Sequence, residues 1–153
     1  MPDKADLLLD LYKEHCNWER HHETQRSSVT SILVAVAAGI LGIVTFDGHI
    51  NTIDLPLTSF LIILGLFGVL FSAKQYSSFS QHQERANKIR ETLNTLIPAA
   101  KILELRKEAD EIHKKKNRIM SKLRLHYFWN LLHVLIAIIG SLLTIGALLQ
   151  WFG

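Results

Sequence analysis

Three long stretches of this 153-residue sequence lack aspartate, glutamate, lysine and arginine. They cover residues 28–46, 55–73 and 128–152, and they hold 19, 19 and 25 residues. A bilayer core about 30 Å thick is crossed by roughly 20 apolar residues in a helix. A single soluble domain seldom keeps three such stretches free of charge. The sequence therefore predicts a membrane protein with three transmembrane helices.

The sequence also lacks features that are typical of several other kinds of protein. Cys16 is the only cysteine, which excludes an internal disulfide. The first 27 residues hold six acids and four basic residues in place of an apolar run, which excludes a cleavable secretory signal. A nucleophile paired with a base, a phosphate-binding glycine loop and zinc-finger spacing are also missing from the sequence. We therefore expect no enzyme, no catalytic residue, no bound cofactor or metal, and no direct contact with nucleic acid.

The basic residues are distributed on one side of the predicted membrane. Four of the 17 lysines and arginines precede the first span, and the other 13 lie between Lys74 and Arg124. The loop DGHINTID between the first two spans has none, and neither has the ending QWFG. Cytoplasmic loops are enriched in lysine and arginine. The pattern predicts a cytoplasmic amino terminus and a carboxy terminus outside.

The charged segments have a helical pattern. Residues 74–127 contain no glycine and one proline, Pro98, and apolar residues step by three and four on both sides of it. Because both ends of this segment must meet the membrane, we predict a helical hairpin with Pro98 near its tip. Residues 1–27 form a further helix that joins the first span. The predicted fold is all-α, with three transmembrane helices and a cytoplasmic helical bundle; its segments are 1–27, 28–73, 74–127 and 128–153.

A cluster of ionisable side chains precedes the first span. His15, Glu19, His22 and Arg26 share one side of the helix, and Trp18 lies among them. One interpretation is a structural polar network near the membrane, and the other is a metal-binding or proton-sensing role. Metal ligands would have to be completed from the hairpin, whose possible donors are His82, Glu84, Glu91, Glu104 and His113. His133 in the third span is likewise either hydrogen-bonded to a neighbouring helix or functional.

Small residues recur at helical spacing in the spans. Ala35, Gly39 and Gly42 lie in the first span, and Gly140 and Thr144 lie in the third. Such residues let helices approach closely in lipid. They predict helix packing within the chain, between copies in a homo-oligomer, or both.

The arrangement resembles the SLATT group of small bacterial membrane proteins over roughly residues 5–105. A charged helix, two spans with a short outer loop and the segment QHQERANKIRETLNTL carry the resemblance. In that segment His82, Ala86 and Leu93 match the group's pattern, and Arg90 stands where an aromatic residue is common. The third span extends beyond the two-span form of the group.

The resemblance implies an oligomeric effector that permeabilises the bacterial inner membrane in an anti-phage system. A cytoplasmic sensor protein or a nucleotide signal would trigger it through the cytoplasmic helices. Pore-facing polar residues would come from Thr30, Ser31, Thr45, Ser141 and Thr144. Two alternatives remain open: a membrane-anchored scaffold that docks a soluble partner, and a histidine-based metal or proton sensor.

Overall fold

The computed structural model describes residues 3–118 and 125–152, with only the backbone at 151 and 152. All regular structure within these residues is helical, which confirms the predicted all-α class. The described residues form the α-helices α1 (Lys4–Val44), α2 (Leu55–Leu96), α3 (Ile102–Lys116) and α4 (Leu125–Phe152). The part of the predicted hairpin that falls on residues 119–124 lies outside the described residues.

Three of the helices are long and apolar enough to cross a membrane, as predicted. α1 and α2 contain 41 and 42 residues, or roughly 60 Å each at the helical rise, which is about twice the thickness of a bilayer core. Each therefore combines an apolar half with a charged half in one continuous helix. The change from charged to apolar sequence near Ser28 is not accompanied by a break in α1.

Short turns connect α1 to α2 and α2 to α3. Between α1 and α2 the chain passes Gly48, whose φ of 72° lies in the left-handed region that favours glycine. The backbone N–H of Asn51 donates to the Asp54 carboxylate at 2.8 Å just before α2 begins. Between α2 and α3, Pro98–Ala100 form a 3-10 turn, and the N–H of Leu103 donates to the Asn94 side chain at 3.2 Å.

The chain divides into two compact units. The first, here called the polar unit, consists of Met1–Thr24 and Tyr76–Arg124. The second, here called the apolar unit, consists of Gln25–Gln75 and Leu125–Gly153.

The apolar unit is held together by close contact between helices. Leu33, Ala37, Ile40 and Val44 of α1 form a buried core with residues of α2 that include Leu61. α2 and α4 approach through glycine: a Cβ atom on Gly65 would lie 2.5 Å from the backbone nitrogen of Ala137, and one on Gly140 would lie 2.8 Å from Leu61 Cβ. Gly140 therefore packs within the chain.

The polar unit has a thinner core. Ala86 and Leu93 of α2 are its buried apolar residues among those described. α3 is tied to α2 by a hydrogen bond of 2.9 Å from the Arg106 guanidinium to the Asn87 side chain. The rest of α3 is almost entirely exposed.

Candidate functional site

α1 carries two different faces within the apolar unit. One face is buried and includes Leu33, Ala37, Ile40 and Val44. On the other side, six exposed small or hydroxyl-bearing residues follow steps of three, four, three, four and three. We call this set the outer seam; it consists of Ser28, Ser31, Ala35, Ala38, Gly42 and Thr45.

The outer seam is free of neighbours within the described part of the chain. A Cβ atom added to Gly42, or to Gly39 beside the seam, would meet no atom within 4 Å. The Ser31 hydroxyl donates to the Ser27 carbonyl at 3.0 Å, and the Thr45 hydroxyl donates to the Leu41 carbonyl at 2.7 Å. The hydroxyl protons are thus satisfied on the helix itself, while the oxygens can still accept a hydrogen bond. Ala35, Gly39 and Gly42 have no packing role in the described chain.

A second feature of the apolar unit is a set of buried polar side chains. Arg26 is 1% exposed and His133 is 0% exposed. The Thr30 hydroxyl and His133 Nε2 share a hydrogen bond of 3.2 Å between α1 and α4. Thr30 is therefore buried inside the unit, which differs from the pore-facing position predicted for it, because His133 gives its hydroxyl a partner there.

Glycine on α2 makes room for the buried imidazole. A Cβ atom on Gly68 would fall onto the ring of His133. Gln75 of α2 donates to the Gln25 side chain of α1 at 3.1 Å, so these two residues lie at the same end of the unit. Ser72 is one turn from Gly68, and Arg26 is one turn from Thr30, toward the same end of the unit.

Further buried polar atoms lie at this end. Ser72 Oγ, Trp129 Nε1, Asn130 Oδ1 and His133 Nδ1 have no hydrogen-bond partner among the described residues. Polar atoms in membrane helices usually face the protein interior, where they mark functional positions or bind internal water. The sequence pointed to Arg26 and His133, but it did not point to Asn130, which has no distinctive local pattern.

The polar unit brings the other predicted residues together around one histidine. His15 Nδ1 and His82 Nδ1 lie 3.0 Å apart. The Trp18 ring stacks on the His82 ring at 5.8 Å with an interplanar angle of 17°, and the His22 ring lies 5.5 Å from it. We call these four residues the histidine cluster. The sequence named His82 only as one of five possible ligands and as a match to the resemblance, so its central position was not foreseen.

The environment of the cluster alters two pKa values. Burial lowers the pKa of His82 below its usual 6.5, and the neighbouring His15 and His22 lower it further. Burial raises the pKa of Glu19 above its usual 4.5, while Arg90 opposes this increase. Arg90 also donates to the Tyr12 hydroxyl at 2.9 Å. Leu11 and Trp18 of α1 are partly exposed.

Solvent reaches the cluster from one side. An open groove of about 810 Å³ runs beside His15 and is lined on α2 by residues that include Glu84, Arg85 and Lys88. Among the described residues, no group of three or more histidine, cysteine, aspartate or glutamate side chains is arranged to hold a metal ion.

No protein-family model, curated protein or solved structure matches this chain. The SLATT resemblance therefore stays a prediction that depends on the residues quoted for it.

Proposed function

We propose that the chain is the subunit of a homo-oligomeric effector that permeabilises the bacterial inner membrane during anti-phage defence. The observation that supports this most is the outer seam of α1. A membrane helix with small and hydroxyl-bearing residues on its outward face is suited to contact another helix rather than lipid tails.

The spacing of the outer seam suits association between identical helices. A repeat of three and four residues averages 3.5, the period that keeps one face of a helix against a partner in a left-handed coil. Ser28, Ser31 and Thr45 place hydroxyl oxygens along this face, in a segment where most exposed side chains are hydrocarbon. Copies assembled around an axis would bring these oxygens together, and a rearrangement of the helices would open a polar path.

The polar unit would receive the trigger in the cytoplasm. The orientation follows from the basic residues, all of which precede the first span or lie between the second and third spans. A sensor protein or a nucleotide signal is the proposed trigger. The remaining partner is the lipid bilayer.

The test changes the seam without changing the fold. In Gly39→Leu/Gly42→Leu, the new side chains enter open space in the single chain, so the thermal midpoint should be retained. Crosslinking in native membranes should give a mostly monomeric protein, and depolarisation of triggered cells, followed with a potential-sensitive dye, should fall at least tenfold. Val36→Leu adds bulk at an exposed position of α1 outside the seam and should leave both readouts unchanged. An oligomer and a depolarisation signal that survive the double substitution would contradict the proposal.

A second candidate function is a membrane-anchored scaffold, favoured by the exposure of α3. Leu105 is 61% exposed and Ile112 is 66% exposed, and their spacing of seven places both on one face of the helix. Leu105→Ser/Ile112→Ser should abolish capture of a soluble partner if the protein is a scaffold. Under that function, the seam variant should still capture the partner.

A further inference from the structure

The contact between His15 and His82 depends on how many protons the two rings carry. With their Nδ1 atoms 3.0 Å apart, one ring must donate and the other must accept. A pair of neutral rings satisfies this requirement, and so does a pair that carries one positive charge. A pair with two charges does not, because both Nδ1 atoms then hold a proton and the rings repel each other.

Most charged groups around the pair disfavour the second proton. On α2, Arg85 adds positive charge, and on α1 His22 does so when it is protonated. Glu14 on α1 acts in the opposite direction. Glu84 and Lys88 line the groove beside His15, and Glu19, Arg20 and Arg90 form the adjoining charged group.

We propose that the histidine cluster is a proton-responsive latch that holds α1 to α2 in the polar unit and releases it on acidification. The latch itself does not depend on the proposed function. Only its consequence, which is regulation of the membrane permeability, rests on that function. The open groove gives protons access to His15. Trp18, whose ring stacks on His82 and also lies near the His21 and His22 rings, is a fluorescent probe of the cluster.

The direction of the pH effect follows from the lowered pKa of His82. In the unfolded chain this imidazole has its ordinary pKa of about 6.5, whereas in the folded chain its pKa is lower. The unfolded or opened form therefore binds more protons in the interval between the two values. The contribution of the latch is fully present above about pH 6.5 and is lost as the pH falls toward the lowered pKa. Each pKa unit by which the folded value lies below the unfolded value lowers the closed-to-open ratio at acidic pH about tenfold.

The test follows Trp18 fluorescence in the full chain in detergent micelles containing a metal chelator. The sequence has three tryptophans, and Trp129→Phe/Trp151→Phe removes two of them, so that the fluorescence comes from Trp18. Between pH 8 and pH 5, the Trp18 signal should change with a midpoint below 6.5, and hydrogen exchange in residues 10–24 should rise at least tenfold. His82→Gln retains a neutral hydrogen-bonding group, so both changes should disappear. His15→Gln should give the same result, because it removes the other half of the pair.

The matched control is His113→Gln, which removes a histidine of α3 from the same unit and should leave the midpoint unchanged. A transition that persists unaltered in both His82→Gln and His15→Gln would overturn the proposal, as would a transition in the same pH interval that disappears in Glu19→Gln and persists in His82→Gln.

The consequence is measured separately. Acidification of the cytoplasmic side should increase dye leakage from cells with the unmodified protein, and His82→Gln should abolish that increase. A Trp18 transition that depends on His82 without leakage at any pH would support the latch and contradict the proposed function. Leakage that depends on the outer seam but not on His82 or pH would support the function and contradict the latch.

Discussion

The two units differ in where their polar and charged side chains lie. The apolar unit buries Arg26, Thr30, Ser72 and His133 and exposes large apolar side chains such as Leu142. The described residues of the polar unit bury little beyond Ala86 and Leu93, and most of their charged side chains are exposed. Polar side chains are thus buried in one part of the chain and exposed in the other.

The difference is compatible with lipid around the apolar unit and water around the polar unit. In water, apolar side chains gain by leaving the surface, and charged ones remain there. In lipid, apolar side chains are well solvated outside, and polar groups find partners only inside. Glycine has a corresponding double role: Gly65, Gly68 and Gly140 bring helices together within the chain, whereas Gly39 and Gly42 face open space.

The largest loss of stability is expected at a glycine that neighbouring helices enclose. Gly68→Val would drive a side chain into the His133 ring, and overpacking of this kind costs about 3 kcal/mol. Unfolding in a detergent titration measures this loss. Gly42→Val, in open space, should unfold like the unmodified protein, and equal losses for the two variants would end the distinction between the two groups of glycines.

The next largest difference in the free energy of unfolding is expected when one leucine of each unit is replaced by alanine. Leu93→Ala removes a buried side chain from the polar unit and should lower the free energy of unfolding by about 2 kcal/mol. Leu142→Ala removes a side chain that is exposed in the apolar unit, and lipid or detergent fills its place, so the loss should be under about 0.5 kcal/mol. Similar losses at both positions would mean that the apolar unit packs as a water-soluble domain does.

A smaller effect is expected for the buried polar pair. Thr30 and His133 share a hydrogen bond between helices, and such bonds in membrane proteins couple by roughly 0.6 kcal/mol. A double-mutant cycle with Thr30→Val and His133→Phe, measured by the same unfolding titration, should return a coupling of this size. Strictly additive losses would show that the hydrogen bond does not stabilise the unit.

The smallest effect belongs to the exposed ion pairs of the polar unit. Lys88 and Glu91 lie 3.0 Å apart with most of both side chains in solvent. Glu91→Gln should change the free energy of unfolding by less than about 0.5 kcal/mol, and added salt should remove the difference. A loss above 1 kcal/mol would show that this pair has a structural role.

The sequence was sufficient for the fold class, because the length of each uncharged stretch and the three-four spacing depend only on neighbouring residues. It could not identify which face of α1 is buried. Apolar residues lie on both sides of that helix, and the choice is decided by contacts with distant residues such as Leu61 and His133. His82 was missed as the centre of its cluster for the same reason, since 67 positions separate it from His15.

The placement of the units in the membrane is tested most directly by labelling single cysteines. Two variants are made in a Cys16→Ser background, each with one new cysteine. His49→Cys changes a residue in the loop between α1 and α2, and Lys114→Cys changes a residue in α3. A membrane-impermeant maleimide added to intact spheroplasts should label position 49, and it should label position 114 only after the membrane is broken. Equal labelling of both positions from outside would contradict the central proposal that the apolar unit crosses the bilayer and that the polar unit lies in the cytoplasm.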